Sequence, residues 1–450
     1  MKLDHKRTVL VGLAFLSICA FWQMYDNIIP LILTNTFHLD ETISGAIMAA
    51  DNVLALFLLP FFGALSDRTS TKIGRRMPFI LGGTAAAVIL MNLLPLFDNG
   101  YANGASTGKL AMFVVTLGLL LVAMGTYRSP AVALMPDVTP KPLRSKANAV
   151  INLMGSAGGI IVLALGMVFA TASVSNSMMS YTGYFGVIAA LMLAALVVFM
   201  LTVREPEWAR EMQAQSVAAG IEDAEETDHP NEGRKLSADE VKSLLLILLS
   251  IVLWFFGYNA VTSKYSVYAS NILHKDYNLT LIIAQAAAIA AYLPVGFIAG
   301  KIGRKKTILA GVVMLTVAFG VAGFLTADSP SALMNAMFAL AGIAWATINV
   351  NSFPMVVELA SGGDVGKYTG FYYTASMAAQ VATPMVSGLL MDKFGMHVLF
   401  PYAAVFTALA FVTMLFVKHG DSREMPKQTA AAGTEDAGAI DNTVEELTND

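Results

Sequence analysis

Three ionisable residues stand inside long apolar stretches, where charge is costly and a residue that keeps it is a functional candidate: Asp26, Asp51 and Arg128. Counting about 1.5 Å per helical residue, both aspartates fall roughly 12 Å from the outer ends of their spans, on one level. Neighbouring carboxylates repel and burial disfavours ionisation, so one of the two can hold a proton near neutral pH. That is the chemistry of proton coupling. The plainer alternative makes each a packing residue bonded to Asn27, Asn52 or a backbone group. Arg128 falls lower, about 28 Å from the outer end of its span, so straight helices give no direct pair with Asp26. Tyr127-Arg128-Ser129-Pro130 is expected to break the helix there. Contact with a sugar or anion, and structural pairing with an acid near the cytoplasmic side, both remain open for Arg128.

Tryptophan in membranes favours the interfaces, yet Trp22, Trp254 and Trp345 all sit near mid-span. Four residues on from each, on the same helical face, stand Asp26, Tyr258 and Asn349. Tyr292 and Gln380 fall at a similar depth. Aromatic faces beside amides and carboxylates suit a sugar, which has apolar C–H faces and a fringe of hydroxyls. Ordinary aromatic packing is the competing reading for each tryptophan.

These residues need helices to hold them. With 56% hydrophobic and 13% charged residues, and charge confined between apolar runs of about 20 residues, the chain reads as a polytopic membrane protein. The expected fold is all-α, with twelve transmembrane helices. The site residues fall in spans near 9–34, 43–66, 109–135, 242–263, 280–300, 331–358 and 367–391. Placing the amino terminus in the cytoplasm leaves only Lys109, Lys264, Lys275 and Lys393 outside and Arg128 within, of 28 Lys and Arg. Both termini are therefore expected to be cytoplasmic. The expected domains are a six-helix half over 1–203, a cytoplasmic linker over 204–241, a second six-helix half over 242–419 and a disordered tail over 420–450. Residues 207–219 could form a surface amphipathic helix or belong to a flexible linker. The first apolar run outlasts a signal peptide and lacks a small-residue cleavage site, so it reads as a retained helix.

No phosphate loop, metal-ligand spacing or nucleophile elbow is present, and Cys19 is the sole cysteine, which argues against an enzyme, a cofactor or a metal centre. Nucleic acid is not an expected partner. Gly155 and Gly159 read as close helix packing.

Gly63-x-x-x-Asp67-Arg68 followed by Gly74-Arg75-Arg76 has a weaker copy at Gly296-Phe-Ile-Ala-Gly-Lys-Ile-Gly-Arg-Lys-Lys306, which implies internal duplication. The first copy resembles the loop between helices 2 and 3 of the major facilitator superfamily, with five residues rather than one between Asp-Arg and Gly-Arg. That longer form with Met77-Pro78-Phe79-Ile80 is similar to the sucrose–proton symporters and the glycoside–pentoside–hexuronide:cation symporters. Ala133-Leu134-Met135-Pro136-Asp137-Val138-Thr139, followed by Arg144-Ser145-Lys146-Ala147-Asn148-Ala149, resembles their helix 4–5 loop. The resemblance implies two pseudo-symmetric six-helix bundles with substrate bound between them. It also implies a gating loop in which Gly63 permits close approach and Asp67, Arg68, Arg75 and Arg76 latch the cytoplasmic side when shut. In the second copy Gly300 replaces the acid, which implies a weaker latch.

One departure matters. Where melibiose-type sodium symporters carry Asp-x-x-x-Asp-Pro-x-x-Gly, this chain has Ala55-x-x-x-Leu59-Pro60-x-x-Gly63, without oxygen ligands for sodium. The favoured expectation is proton-coupled symport of a glycoside or oligosaccharide, sucrose-like or maltose-like, across a bacterial inner membrane. Drug–proton antiport on the same fold is disfavoured because Gly155-Ser156-Ala157-Gly158-Gly159 lacks the antiporters' Gly-Pro pair. A transporter-like sensor that moves nothing is the rival from another class.

Overall fold

The computed structural model describes residues 3–140, 143–173, 178–218, 236–359 and 365–421. Without water to satisfy peptide groups, a chain this apolar must close its backbone bonds within helices. The first half contains α1 (His5–Leu31), α2 (Glu41–Asp67), α3 (Met77–Ala102), α4 (Thr107–Asp137), α5 (Arg144–Val168) and α6 (Thr182–Thr202). A short α7 (Glu205–Ala218) follows. The second half contains α8 (Ala238–Tyr268), α9 (Tyr277–Ile302), α10 (Arg304–Ala322), α11 (Ser331–Val357), α12 (Val365–Phe394) and α13 (Leu399–Leu415). Among the described residues, ten helices are long and apolar enough to cross a membrane by themselves. The remaining helices α9 and α12 complete the twelve, packed against α11 and α2 respectively.

Side chains such as Val168 and Leu201, 80% and 76% exposed, form the apolar outer surface expected of helices facing lipid. Inside, association depends on close packing rather than on a hydrophobic drive between helices. A Cβ at Gly158 of α5 would stand 2.3 Å from the Leu16 carbonyl oxygen of α1, so only glycine permits this crossing. Gly155 similarly faces Cys19, which agrees with the packing role read from this stretch.

The corresponding helices α1 and α8 both end in a π turn, at Ile32–Thr36 and Ala269–Leu273. These turns meet across the halves, where Asn271 Nδ2 donates to Asn35 Oδ1 at 2.8 Å. Nearby, Thr171 and Tyr277 hydroxyls lie 2.9 Å apart. Lys264 and Glu41 also pair there. Among the described residues, direct polar bonds between the halves lie in the middle or at the end opposite the termini. The described polar bonds thus fasten the halves in the middle and at that end.

One local expectation needs revision, and one of two open alternatives is selected. Pro130 lies inside an unbroken α4, because it removes one N–H donor while the helix continues to Asp137. The polar segment after α6 is helical over Glu205–Ala218, where Arg7 of α1 packs over the Trp208 ring and bonds Glu211 at 2.5 Å. The remainder of that segment, 219–235, and the tail from 422 lie outside the described residues.

Candidate functional site

Helix register decides which buried charges meet. Phe37, just past the π turn of α1, packs on Phe113 of α4 with ring centres 4.9 Å apart. Trp22 precedes Phe37 by fifteen residues, and Arg128 follows Phe113 by fifteen. Equal descents of roughly 22 Å therefore bring them level. The Arg128 guanidinium carbon lies 5.3 Å from the Trp22 ring centre, within cation–π range. Depths counted from helix ends put Arg128 too low, because α4 extends above the end of α1.

Arg128 consequently shares a cavity of about 230 Å³ with Trp22, Asp26, Asp51 and Asn52, while Asn259 and Gln380 line it from the second half. Asn52 Nδ2 donates to Asp51 Oδ1 at 2.8 Å. Asn27 instead donates to the Gln23 carbonyl at 2.6 Å. Asp26 is mid-helix yet accessible, because its surface opens into the cavity. Among the described residues, neither aspartate forms a contact ion pair with Arg128. Trp22 Nε1 and Asn259 Nδ2 find no protein acceptor there.

A second cavity of about 310 Å³ lies beside the first. Gln23, Asp26 and Asn27 enter from α1, Ser156 from α5, Tyr258 and Thr262 from α8, Gln285 and Tyr292 from α9, and Trp345 from α11. Tyr258 lies flat on Trp345, with centres 3.6 Å apart and planes within 2°. Asp26 and Thr262 face both cavities. The arrangement places hydroxyl, amide and aromatic groups on one side of Asp26, with a carboxylate and a guanidinium on the other.

Two tryptophan-based expectations change. Trp254 is completely buried in the hydrophobic core and lines neither cavity. Asn349 also lines neither, although its carbonyl accepts from Ser352 Oγ at 3.5 Å. Four residues of helix leave a mismatch of about 40°, enough for Tyr258 and Trp345 to face the cavity while Trp254 and Asn349 do not. Sequence reasoning missed Gln23, Gln285, Ser156 and Thr262. Gln23 was accessible to it, being three residues before Asp26 on the same face; Gln285 stood alone in an apolar run.

The charged loop is a separate assembly at the terminal end. Arg76, only 4% exposed, bonds Asp67 at 2.5 Å and Asp137 at 2.9 Å, and Arg75 bonds Asp137 at 2.6 Å. Gly63 contributes its carbonyl to Arg76 at 3.4 Å, whereas Arg68 is exposed. Gly74 has φ +125° and turns the chain so that consecutive N–H groups converge. Glu205 caps them, accepting from Arg75, Arg76 and Met77 at 3.0–3.1 Å. Burial raises the Glu205 carboxyl above the ordinary glutamate range, against the lowering effect of those N–H bonds.

The second copy repeats this geometry. Gly303 has φ +94°, Asp421 accepts from the Arg304 N–H at 2.5 Å, and Arg304 bonds Glu358 at 3.0 Å. Gly300 was read as weakening this copy; Asp421 and Glu358 supply acids from elsewhere in the chain. Each network joins one half to itself. The side chains of Arg144, Ser145 and Lys146 lie outside the described set.

Residues 11–291 and 270–441 match the family model described as Major Facilitator Superfamily. Over 145 residues the chain is 32% identical to Sucrose transport protein SUC3 of Arabidopsis thaliana, covering 29% of this chain and 24% of that protein. Over 180 residues it is 26% identical to YagG of Escherichia coli (strain K12), named for glycoside/cation symport, covering 40% and 38%. The matches thus span well under two thirds of these relatives' lengths. In three dimensions it resembles the inward open xylose transporter XylE from E. coli, with TM-score 0.68, 15% identity, and 92% and 96% coverage.

Proposed function

Because this chain belongs to the Major Facilitator Superfamily, we propose that it is a secondary transporter coupling movement of a glycoside or oligosaccharide to a proton. The observation that carries this reading is the position of Asp26 between two adjoining cavities. The larger combines an aromatic stack with amides and hydroxyls, as recognition of a sugar requires. The smaller contains two carboxylates and one guanidinium. One added proton would balance that group, and repulsion between the two carboxylates favours the balanced state. A sugar hydroxyl and a proton therefore both act at Asp26.

The names of the partial relatives favour a sugar-like substrate and cation coupling, while Ala55 and Leu59 favour protons over sodium. In this reading the chain resides in a plasma membrane with both termini cytoplasmic, and the halves rock about the central site in alternating access. Purified protein in vesicles should accumulate one member of a panel including sucrose and maltose. A proton gradient should drive that accumulation, and sodium should have little effect. Uptake indifferent to the proton gradient would remove the coupling assignment. Absence of binding and counterflow across the panel would remove the glycoside assignment.

A further inference from the structure

Within the larger cavity, Gln285 Nε2 on α9 donates to Gln23 Oε1 on α1. The bond joins the two halves directly beside Asp26 and Asn27. Gly159 of α5 makes room for it: a Cβ there would stand 3.1 Å from Gln285 Oε1 and 3.2 Å from Gln23 Oε1. Replacing that glycine would crowd both amides together.

The mutual bond also orients what remains. A primary amide carries two N–H donors and a carbonyl with two lone pairs. Among the described residues, Gln23 Nε2 and Gln285 Oε1 take no protein partner, and both side chains line the cavity. The pair therefore presents a free donor and a free acceptor, held in place by one interaction. Two adjacent sugar hydroxyls match this pattern because each can donate and accept. Pre-orientation lowers the ordering cost of binding.

We propose that Gln23 and Gln285 together read a pair of neighbouring hydroxyls on the substrate, an assignment that rests on the glycoside reading above. One hydroxyl accepts from Gln23 Nε2, and its neighbour donates to Gln285 Oε1. Gly159 determines specificity indirectly, by leaving the space in which the amides align. Epimers and deoxy analogues altered at this pair are discriminated against because one amide group is left unmatched.

The test is equilibrium binding to the purified full-length protein, using a glycoside selected from the panel and its monodeoxy analogues. No glycoside binding by the parent protein overturns the underlying glycoside reading. Where binding occurs, at least one analogue should bind roughly tenfold more weakly than the complete sugar. Gln285→Leu should weaken the complete sugar by a similar factor and erase its advantage over that analogue. Gln23→Leu should do the same against the analogue lacking the neighbouring hydroxyl, and Gly159→Ala should reduce both advantages while keeping both amides. Thermal melting identifies folded variants for this comparison. If folded variants preserve the parent's ratio between complete and deoxy sugars, the glutamines merely join the halves and the hydroxyl-reading proposal is overturned, with the glycoside reading intact.

Discussion

Glu41 of α2 and Lys264 of α8 meet across the two halves, Oε2 to Nζ at 2.6 Å, with Lys264 wholly buried. Lys264 also donates to the Glu41 carbonyl at 3.0 Å. Asp392 of α12 accepts from the Glu41 and Thr42 N–H groups at 2.9 Å, so the opposite half caps the start of α2. These bonds belong to the closed end of the molecule. Breaking one member leaves a buried charge without its partner, a penalty of about 3–5 kcal/mol in comparable sites.

Lys264→Met is therefore expected to shift the carrier toward opening at that end. In a Cys19→Ser background, Asn271→Cys should react faster with an impermeant thiol reagent when Lys264 is replaced. The double change Glu41→Gln with Lys264→Met should recover part of the original protection. Unchanged labelling in all three proteins would show that the ion pair does not control closure.

Asp26→Asn should abolish accumulation against a sugar gradient while sparing some counterflow, which needs no net proton movement. Asp51→Asn should weaken coupling through the same small cavity. Full proton-driven accumulation by both variants would exclude these carboxylates from energy coupling.

Trp345 and Trp254 should separate binding from packing. Trp345→Ala should weaken sugar binding by roughly 1–2 kcal/mol, with Trp345→Phe affected less because a π face remains. Trp254→Ala should instead lower stability by about 3–5 kcal/mol while surviving folded protein binds sugar normally. Calorimetric binding and thermal melting on the same preparations provide the comparison. Equal affinity losses at both positions would contradict the observed division between cavity and core.

Glu205→Ala should destabilise the chain by about 1–3 kcal/mol, because three N–H groups at the start of α3 lose their acceptor. Glu205→Gln keeps one carbonyl acceptor and should be milder. The parent carboxyl is raised by burial, so the folded state favours its protonated form. The parent's stability relative to Glu205→Gln should consequently fall as pH rises from the ordinary glutamate value through the raised one. Melting curves across that window check the sign; a relative gain with rising pH would contradict the buried-carboxyl assignment.

Hydropathy and the spacing of charge were sufficient to read twelve membrane helices, their internal duplication and the cluster around Gly74. These are local or periodic consequences of placing apolar chain in lipid, so sequence carries them directly. Asp26, Asp51 and Arg128 were also legible, since isolated charge in an apolar span is conspicuous. The level shared by the two aspartates was legible too, but the arrival of Arg128 beside them was not. It depends on the vertical offset between α1 and α4, which the Phe37–Phe113 contact establishes and neither helix encodes alone. Trp254 and Trp345 look equivalent in a linear count, yet helix rotation sends one into the core and the other into the cavity. Glu205, Asp421, Glu41 and Lys264 gain their partners from distant segments, and Gln23 finds Gln285 only when the two halves pack. Composition decided that helices would form and where charge would be costly. Tertiary packing decided which charges, amides and rings would face one another, because relative height and rotation arise only between helices.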